Sequence, residues 1–239
     1  MTLRLALLLL ALLPLAACKP SAPTTAPAGE SAAKTGPADA AVAAGDLKPG
    51  VDYIVIPNGE PYAPLDGKVE VAEAFGYGCP HCAHFEPTLK AWKAKQPANV
   101  RFVSVPAPFG GPWDTYARAY FAAEAAGLAD KTHDAVFNAI HTDHTLPPNA
   151  TVDQIAAFYG RHGADAAAFA GTMRSFAIEA KVNHARQFLA RSEVPGSADI
   201  GTPMMIVNGK YRIDVSQAGY EKMLETVDKL VALESAPGR

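Results

Sequence analysis

The order of apolar patterns along the chain predicts an α/β fold. Two strand-like runs, Val69–Phe75 and Val100–Val105, flank an amphipathic stretch at 84–92 that reads as a helix. A long helical pattern follows, from Trp113 to about Leu189. The chain then returns to a strand, a tight turn, a second strand and a last amphipathic helix.

The elements follow in order. Tyr53-Ile54-Val55-Ile56 is a first, weak strand. Val69-Glu70-Val71-Ala72-Glu73-Ala74-Phe75 reads as a buried strand. The third strand, Val100-Arg101-Phe102-Val103-Ser104-Val105, is ended by the breakers Pro106, Pro108, Gly110 and Gly111. Trp113/Tyr116/Tyr120 and Phe169/Met173/Phe176 recur at helical spacing. Met204-Met205-Ile206-Val207 is a strand, Asn208-Gly209 its hairpin turn, and Lys210-Tyr211-Arg212-Ile213 the partner strand. Tyr220, Met223, Leu224, Val227, Leu230 and Val231 form the apolar face of the final helix. No internal repeat is evident. From Leu47 onward the chain is long enough for one sizeable domain.

The N-terminus predicts export. Met1-Thr2-Leu3-Arg4 is a short positive start, and Leu5–Leu13 is an apolar run too short to span a bilayer as a mature helix. Residues 1–17 therefore read as a signal peptide. Leu15-Ala16-Ala17-Cys18 resembles the lipobox of bacterial lipoproteins, which implies lipid on Cys18 after cleavage. The competing reading is an ordinary secretion signal with an incidental cysteine. Lys19, where an Asp would suggest inner-membrane retention, favours the outer membrane. The linker, 18–46, is rich in Ala, Pro, Ser, Thr and Gly, so it is expected to be a disordered tether spanning about 30 Å.

Cys79-Pro80-His81-Cys82 is the motif that carries chemistry. A C-x-x-C at a strand-to-helix junction is a redox pattern. Cys79 falls at the expected N-cap and Pro80 at the first helical position, where a missing N–H costs little. Unpaired N–H groups and the positive end of the helix dipole then favour the Cys79 thiolate. Cys82 lies one turn on, and the expectation is an exposed Cys79 and a buried Cys82. Two other readings stay open: a zinc site from Cys79, Cys82 and His84, and a purely structural disulfide. Haem attachment would need a histidine where Ala83 stands. With three cysteines in all, none remains for a structural staple.

The sequence resembles the DsbA family of exported thiol:disulfide oxidoreductases. The residues that carry the likeness are Phe75-x-Tyr77-x-Cys79-Pro80-His81-Cys82-x-x-Phe85-Glu86 and Gly201-Thr202-Pro203-x-x-x-Val207-Asn208-Gly209-Lys210-Tyr211. The resemblance covers about residues 49–235 and implies a thioredoxin fold with an inserted all-helical domain. Its expected division is 47–111 and 190–239 for the thioredoxin-like part and 112–189 for the helical insertion. Pro87 matches a proline that kinks the first helix in such proteins; the alternative is a helix that ends early. The resemblance makes the Pro80-His81 dipeptide a source of oxidising power, since an imidazole beside Cys79 stabilises the thiolate. It makes the Thr202–Pro203 bond cis and places it against the cysteines, with the Thr202 backbone presented to an extended client peptide. It places Glu73 beneath the disulfide as a proton-handling carboxyl. The family often pairs that residue with a lysine on the next strand, and Val103-Ser104-Val105 has none, so burial is expected to raise the Glu73 pKa. Glu86 matches a family acidic position, but reads equally well as a surface glutamate.

The implied activity is donation of the Cys79–Cys82 disulfide to unfolded exported proteins with free cysteines, in the periplasm, by a monomer that needs no cofactor or metal. A quinone-linked membrane oxidase of the DsbB type is the implied reoxidant. Net charge is −3, and no basic patch suggests nucleic acid. His133, His141 and His144 do not form a convincing ligand set and are expected on the surface. Two other functions remain open: a disulfide reductase or isomerase, and a Cys/His metal-binding domain.

Overall fold

The computed structural model describes residues 46–236; the expected signal peptide, Cys18 and the expected linker up to residue 45 lie outside the described residues. Strands β1 (Ile54–Val55), β2 (Val69–Phe75), β3 (Val100–Pro106), β4 (Met204–Val207) and β5 (Tyr211–Asp214) form one five-stranded sheet in the order β1-β5-β4-β2-β3. β2 runs parallel to β3, and β4 is antiparallel to both β2 and β5. Helix α1 (Pro80–Lys93) joins β2 to β3, as a parallel pair requires. Helices α2 (Pro112–Ala125), α3 (Ala129–His141), α4 (Val152–Gly160), α5 (Ala166–Met173) and α6 (Phe176–Arg191) all lie between β3 and β4. Helix α7 (Gly219–Glu234) follows β5.

The two faces of the sheet are covered by different parts of the chain. Val69, Val71, Met205, Val207 and Ile213 pack with Phe85, Leu89 and Trp92 of α1 and with Met223, Val227 and Leu230 of α7. Ala72, Ala74, Val105, Met204 and Ile206 pack on the other face with apolar side chains of α2–α6. With both faces covered, every residue of β2 is buried, including both of its glutamates. Glu70 is satisfied by Arg101 at 2.7 Å and by the N–H groups of Tyr62 and Ala63 at 2.5 and 3.1 Å. Among the described residues Glu73 has no such partners, and this contrast marks the place where the sheet departs from pure scaffolding.

Several sequence expectations change in detail. The first strand shrinks to Ile54–Val55, because it pairs on one side only, with β5. Pro106 extends β3 by one residue, opposite Phe75 at the strand end where a missing N–H is tolerated. Lys210 belongs to the turn, and β5 begins at Tyr211. Phe169, Met173 and Phe176 do not share one helix. Ser175 caps a new helix through its hydroxyl to the Ile178 N–H, and Phe176 is left 87% exposed. Helix α1 runs on through Pro87 to Lys93, which removes the early-ending alternative.

The hairpin forms as the Asn-Gly pair predicts. Asn208 and Gly209 take φ of 48° and 68°, the left-handed pair of a type I′ turn. At Gly209 the requirement is also steric, since an added Cβ would meet the Glu60 carbonyl oxygen at 1.9 Å.

Candidate active site

The site grows out of the end of β2. The chain leaves the strand at Phe75, and the Cys79 N–H donates to the Gly76 carbonyl at 2.9 Å, closing a turn. Gly76 lets the insertion come close: a Cβ there would sit 2.1 Å from the ring of Trp113 on α2. Cys79 is the N-cap of α1, with φ −87° and ψ 116°, and Pro80 occupies the first helical position. The Cys79 sulfur accepts from the Cys82 N–H at 3.4 Å. Both cysteines are free thiols.

The second sequence motif arrives from the far side of the insertion. The Thr202–Pro203 bond is cis and immediately precedes β4, the strand beside β2. The Thr202 carbonyl oxygen lies 3.4 Å from the Cys79 sulfur, joining residues 123 apart in sequence. Pairing of β4 with β2 thus brings the two motifs into contact.

The two sulfurs have opposite environments. Cys79 is pulled down to about 5, first by a hydrogen bond from the Cys82 thiol. Thr202 and the N–H groups of Cys82 and His81 add to this, while burial opposes it. Cys82 is pushed well up, first by burial, then by its hydrogen bond to Cys79. Cys79 keeps 6% of its surface and Cys82 none, so Cys79 is only narrowly accessible rather than openly exposed as expected.

Glu73 is fully buried, and neither carboxyl oxygen has a hydrogen-bond partner among the described residues. Its register neighbours are Ser104 on β3 and Met205 on β4. Burial pushes its carboxyl well above the ordinary range, helped by the charges of Glu86 and Cys79 and opposed by Lys93. The His81 side chain is exposed. Its backbone N–H faces the Cys79 sulfur, and its carbonyl accepts from the Tyr220 hydroxyl at 3.0 Å. Tyr220, on α7, also packs its ring 5.0 Å from Phe85 of α1.

Two of the histidines expected on the surface, His133 and His141, are half-buried instead. His133 sits between the Tyr77 hydroxyl, 3.0 Å from Nδ1, and the Glu86 carboxylate, 3.1 Å from Nε2. His141 donates from Nε2 to the Tyr77 carbonyl at 2.7 Å. Glu86 is 9% exposed and so faces inward. Tyr77, two residues before Cys79, is held through both its hydroxyl and its carbonyl by α3. The signal for this was helical spacing: His133, Phe137 and His141 are four apart, and Phe137 is a buried apolar residue. His144 remains exposed, as expected. Among the described residues no three His, Cys, Asp or Glu side chains are grouped to hold a metal ion.

Comparison with known proteins gives consistent results. A family profile described as a DSBA-like thioredoxin domain matches residues 113–228. The thiol:disulfide interchange protein DsbA of Azotobacter vinelandii is 40% identical over 190 residues, covering 79% of this chain and 85% of the relative. Its counterpart from Pseudomonas aeruginosa PAO1 is 38% identical over 200 residues, covering 83% and 91%. The crystal structure of the oxidoreductase DsbA from Xylella fastidiosa superposes with a TM-score of 0.74 at 42% identity, covering 79% of this chain and 97% of that one.

Proposed function

The chain belongs to the DsbA family of thiol:disulfide oxidoreductases, and from that premise we propose that Cys79 is the sulfur through which it exchanges disulfides with its clients. The observation that carries this reading is the split between the two thiols, one held near 5 at the helix N-cap and one buried and pushed up.

In the donating direction a client thiolate attacks Cys79 of the Cys79–Cys82 disulfide. The S–S bond breaks, a mixed disulfide forms on Cys79, and Cys82 leaves with the electron pair. Glu73, whose buried carboxyl keeps its proton, supplies that proton to the Cys82 sulfur. A second client thiolate then attacks the client sulfur of the mixed disulfide, and Cys79 departs as a thiolate. The client loses two electrons, which the cysteine pair gains. Cys79 is a good leaving group because its thiolate is stabilised, and this same feature makes the disulfide oxidising. His81 contributes to that stabilisation beside Pro80. Thr202 and Pro203 flank the sulfur where an extended client segment docks, with the Thr202 backbone as its partner.

The clients are exported proteins with free cysteines, met in the periplasm. A quinone-linked membrane oxidase of the DsbB type takes the two electrons from Cys79 and Cys82. Cys18 carries a lipid that tethers the enzyme to a membrane, the outer one favoured by Lys19, and the enzyme works as a monomer. The catalytic part is divided into 47–111 and 190–239 around a helical insertion at 112–189.

A Cys82→Ala variant should accumulate clients as mixed disulfides on Cys79, visible as reducible high-mass species and mapped by peptide mass. Clients attached instead to Cys82 in a Cys79→Ala variant would overturn the assignment.

A further inference from the structure

We propose that Tyr220 is a positioning residue of the redox site: its hydroxyl polarises the His81–Cys82 peptide group, whose N–H donates to the Cys79 sulfur. This deepens the Cys79 reading proposed above and rests on it.

Tyr220 opens the apolar face of α7, and packing there asks only for its ring. Met223, Leu224 and Val227 farther along that face are buried in the core. Tyr220 is half-buried, its ring 5.0 Å from that of Phe85 with 32° between the planes. A phenylalanine would make the same contact. The hydroxyl goes further: it reaches from α7 to α1 and donates to the His81 carbonyl oxygen at 3.0 Å. The direction is fixed, because a carbonyl oxygen can only accept.

That carbonyl and the Cys82 N–H are the two ends of one peptide group. The Cys82 N–H donates to the Cys79 sulfur at 3.4 Å. In a trans peptide such as this one the C=O and N–H point in opposite directions, so a single flat group carries a hydrogen bond at each end. A donor at the oxygen draws electron density from the nitrogen and leaves the N–H more positive. Bonds chained in this way strengthen one another by about 10–30%. The chain ends on charge. The Cys79 thiol is pulled down to about 5, first by the Cys82 thiol, with the Cys82 N–H among the further causes. At the other end, burial and then the two cysteines push the Tyr220 phenol above its ordinary value, so it keeps its proton at neutral pH.

The groups that face the Cys79 sulfur come from each element around it. Cys82 and the His81 N–H come from α1, Thr202 from the segment before β4, the Glu73 carboxyl from β2 and the Tyr220 phenol from α7. The His81 imidazole is exposed beside them. Tyr220 differs from the rest in acting through a hydrogen bond to the far end of the Cys82 amide.

The test is Tyr220→Phe in the full reduced chain, measured beside the unmodified chain. The change keeps the ring on Phe85 and deletes one hydroxyl, and thermal melting controls for the fold. Thiolate absorbance near 240 nm gives the Cys79 midpoint, and NMR at pH 7 gives the Cys82 amide proton shift. Loss of the polarising bond should raise the midpoint by about 0.3 pH unit. At pH 7, above the midpoint of both chains, that makes the disulfide about twofold less oxidising in equilibrium with glutathione. The Cys82 amide proton should move upfield, as a weakened donor does. An unmoved midpoint, with or without a lower melting temperature, would reduce Tyr220 to a packing residue and overturn the proposal. So would a midpoint that moves while the Cys82 amide proton stays, because the effect would then bypass the peptide group. The unmodified chain reports separately on the cysteine assignment. A midpoint near the ordinary 9.0 defeats both readings, whereas one near 5 that Tyr220→Phe leaves in place defeats only the role of Tyr220.

Discussion

Lowering the pH should remove stability from the reduced protein in a window set by Cys79. The folded-state pKa is about 5 against an ordinary value of 9.0. A depressed pKa favours the fold wherever the folded sulfur is ionised and the unfolded one is not. The contribution is absent below about pH 5, grows through neutral pH and is complete only above the unfolded value. At pH 7 the interval above 5 is two pH units at about 1.4 kcal/mol each, and solvent screening through the narrow opening at Cys79 reduces the sum to about 2 kcal/mol. By pH 8 the same reasoning gives about 3 kcal/mol. Cys82, pushed up by burial, stays a thiol in both states through this range and adds nothing. Oxidation works the other way. Closing so short a loop gains up to about 2 kcal/mol by restricting the unfolded chain, with little dependence on pH. The two effects are comparable at pH 7, so the diagnostic quantity is the slope of the stability difference rather than its sign at one pH. Urea unfolding of reduced and oxidised chain at several pH values between 4 and 8 measures it, with thiolate absorbance near 240 nm as an independent titration. The reduced form should gain on the oxidised form as pH rises from about 5, by about 1 M in urea midpoint at pH 7. A difference that stays flat up to pH 8, or a thiolate midpoint near 9, would refute the assignment of Cys79 as the stabilised sulfur.

The fold was legible because its elements are amphipathic on a local scale. Val69–Phe75, the Asn208-Gly209 turn and the face of α7 each announce themselves within a few residues. The cysteine pair was legible for the same reason, since a cap, a proline and a first helical turn are local features. Other properties of the site needed tertiary contacts. Covering both faces of β2 buried Glu70 and Glu73 alike, yet only Glu70 meets Arg101 and two backbone N–H groups. Nothing in Val-Glu-Val-Ala-Glu says which glutamate will be satisfied. His133 was misread because its partners lie 56 and 47 residues away, on the redox turn and on α1. A polar side chain on a helix reads as solvated until the opposing element is known. The modest exposure of Cys79 has the same origin, because the Thr202–Pro203 segment that covers it is supplied from beyond the insertion.

Two substitutions separate the sources of reactivity. His81→Ala keeps the backbone N–H and removes the imidazole. It should raise the Cys79 midpoint by up to about one pH unit and make the disulfide less oxidising in equilibrium with glutathione. An unchanged midpoint would leave the effect to the Cys82 thiol, Thr202 and the backbone N–H groups of Cys82 and His81. Glu73→Gln tests the buried carboxyl. The folded-state pKa of Glu73 is raised above its ordinary 4.5, so its protonated form favours the fold fully below that value. As pH rises toward the folded-state pKa, the unfolded chain ionises while the folded one holds its proton, and stability drains away. Glutamine keeps the shape but cannot ionise, so the variant should match the parent at pH 4 and exceed it at pH 7.5 in urea unfolding. The same change removes the proton that Cys82 receives on leaving, so mixed-disulfide formation should slow while the Cys79 thiolate persists. Gain in stability with loss of rate is what a residue kept for chemistry should show. Equal stability gaps at both pH values would mean that Glu73 meets solvent in the folded protein, and its place in proton transfer would fall with that result.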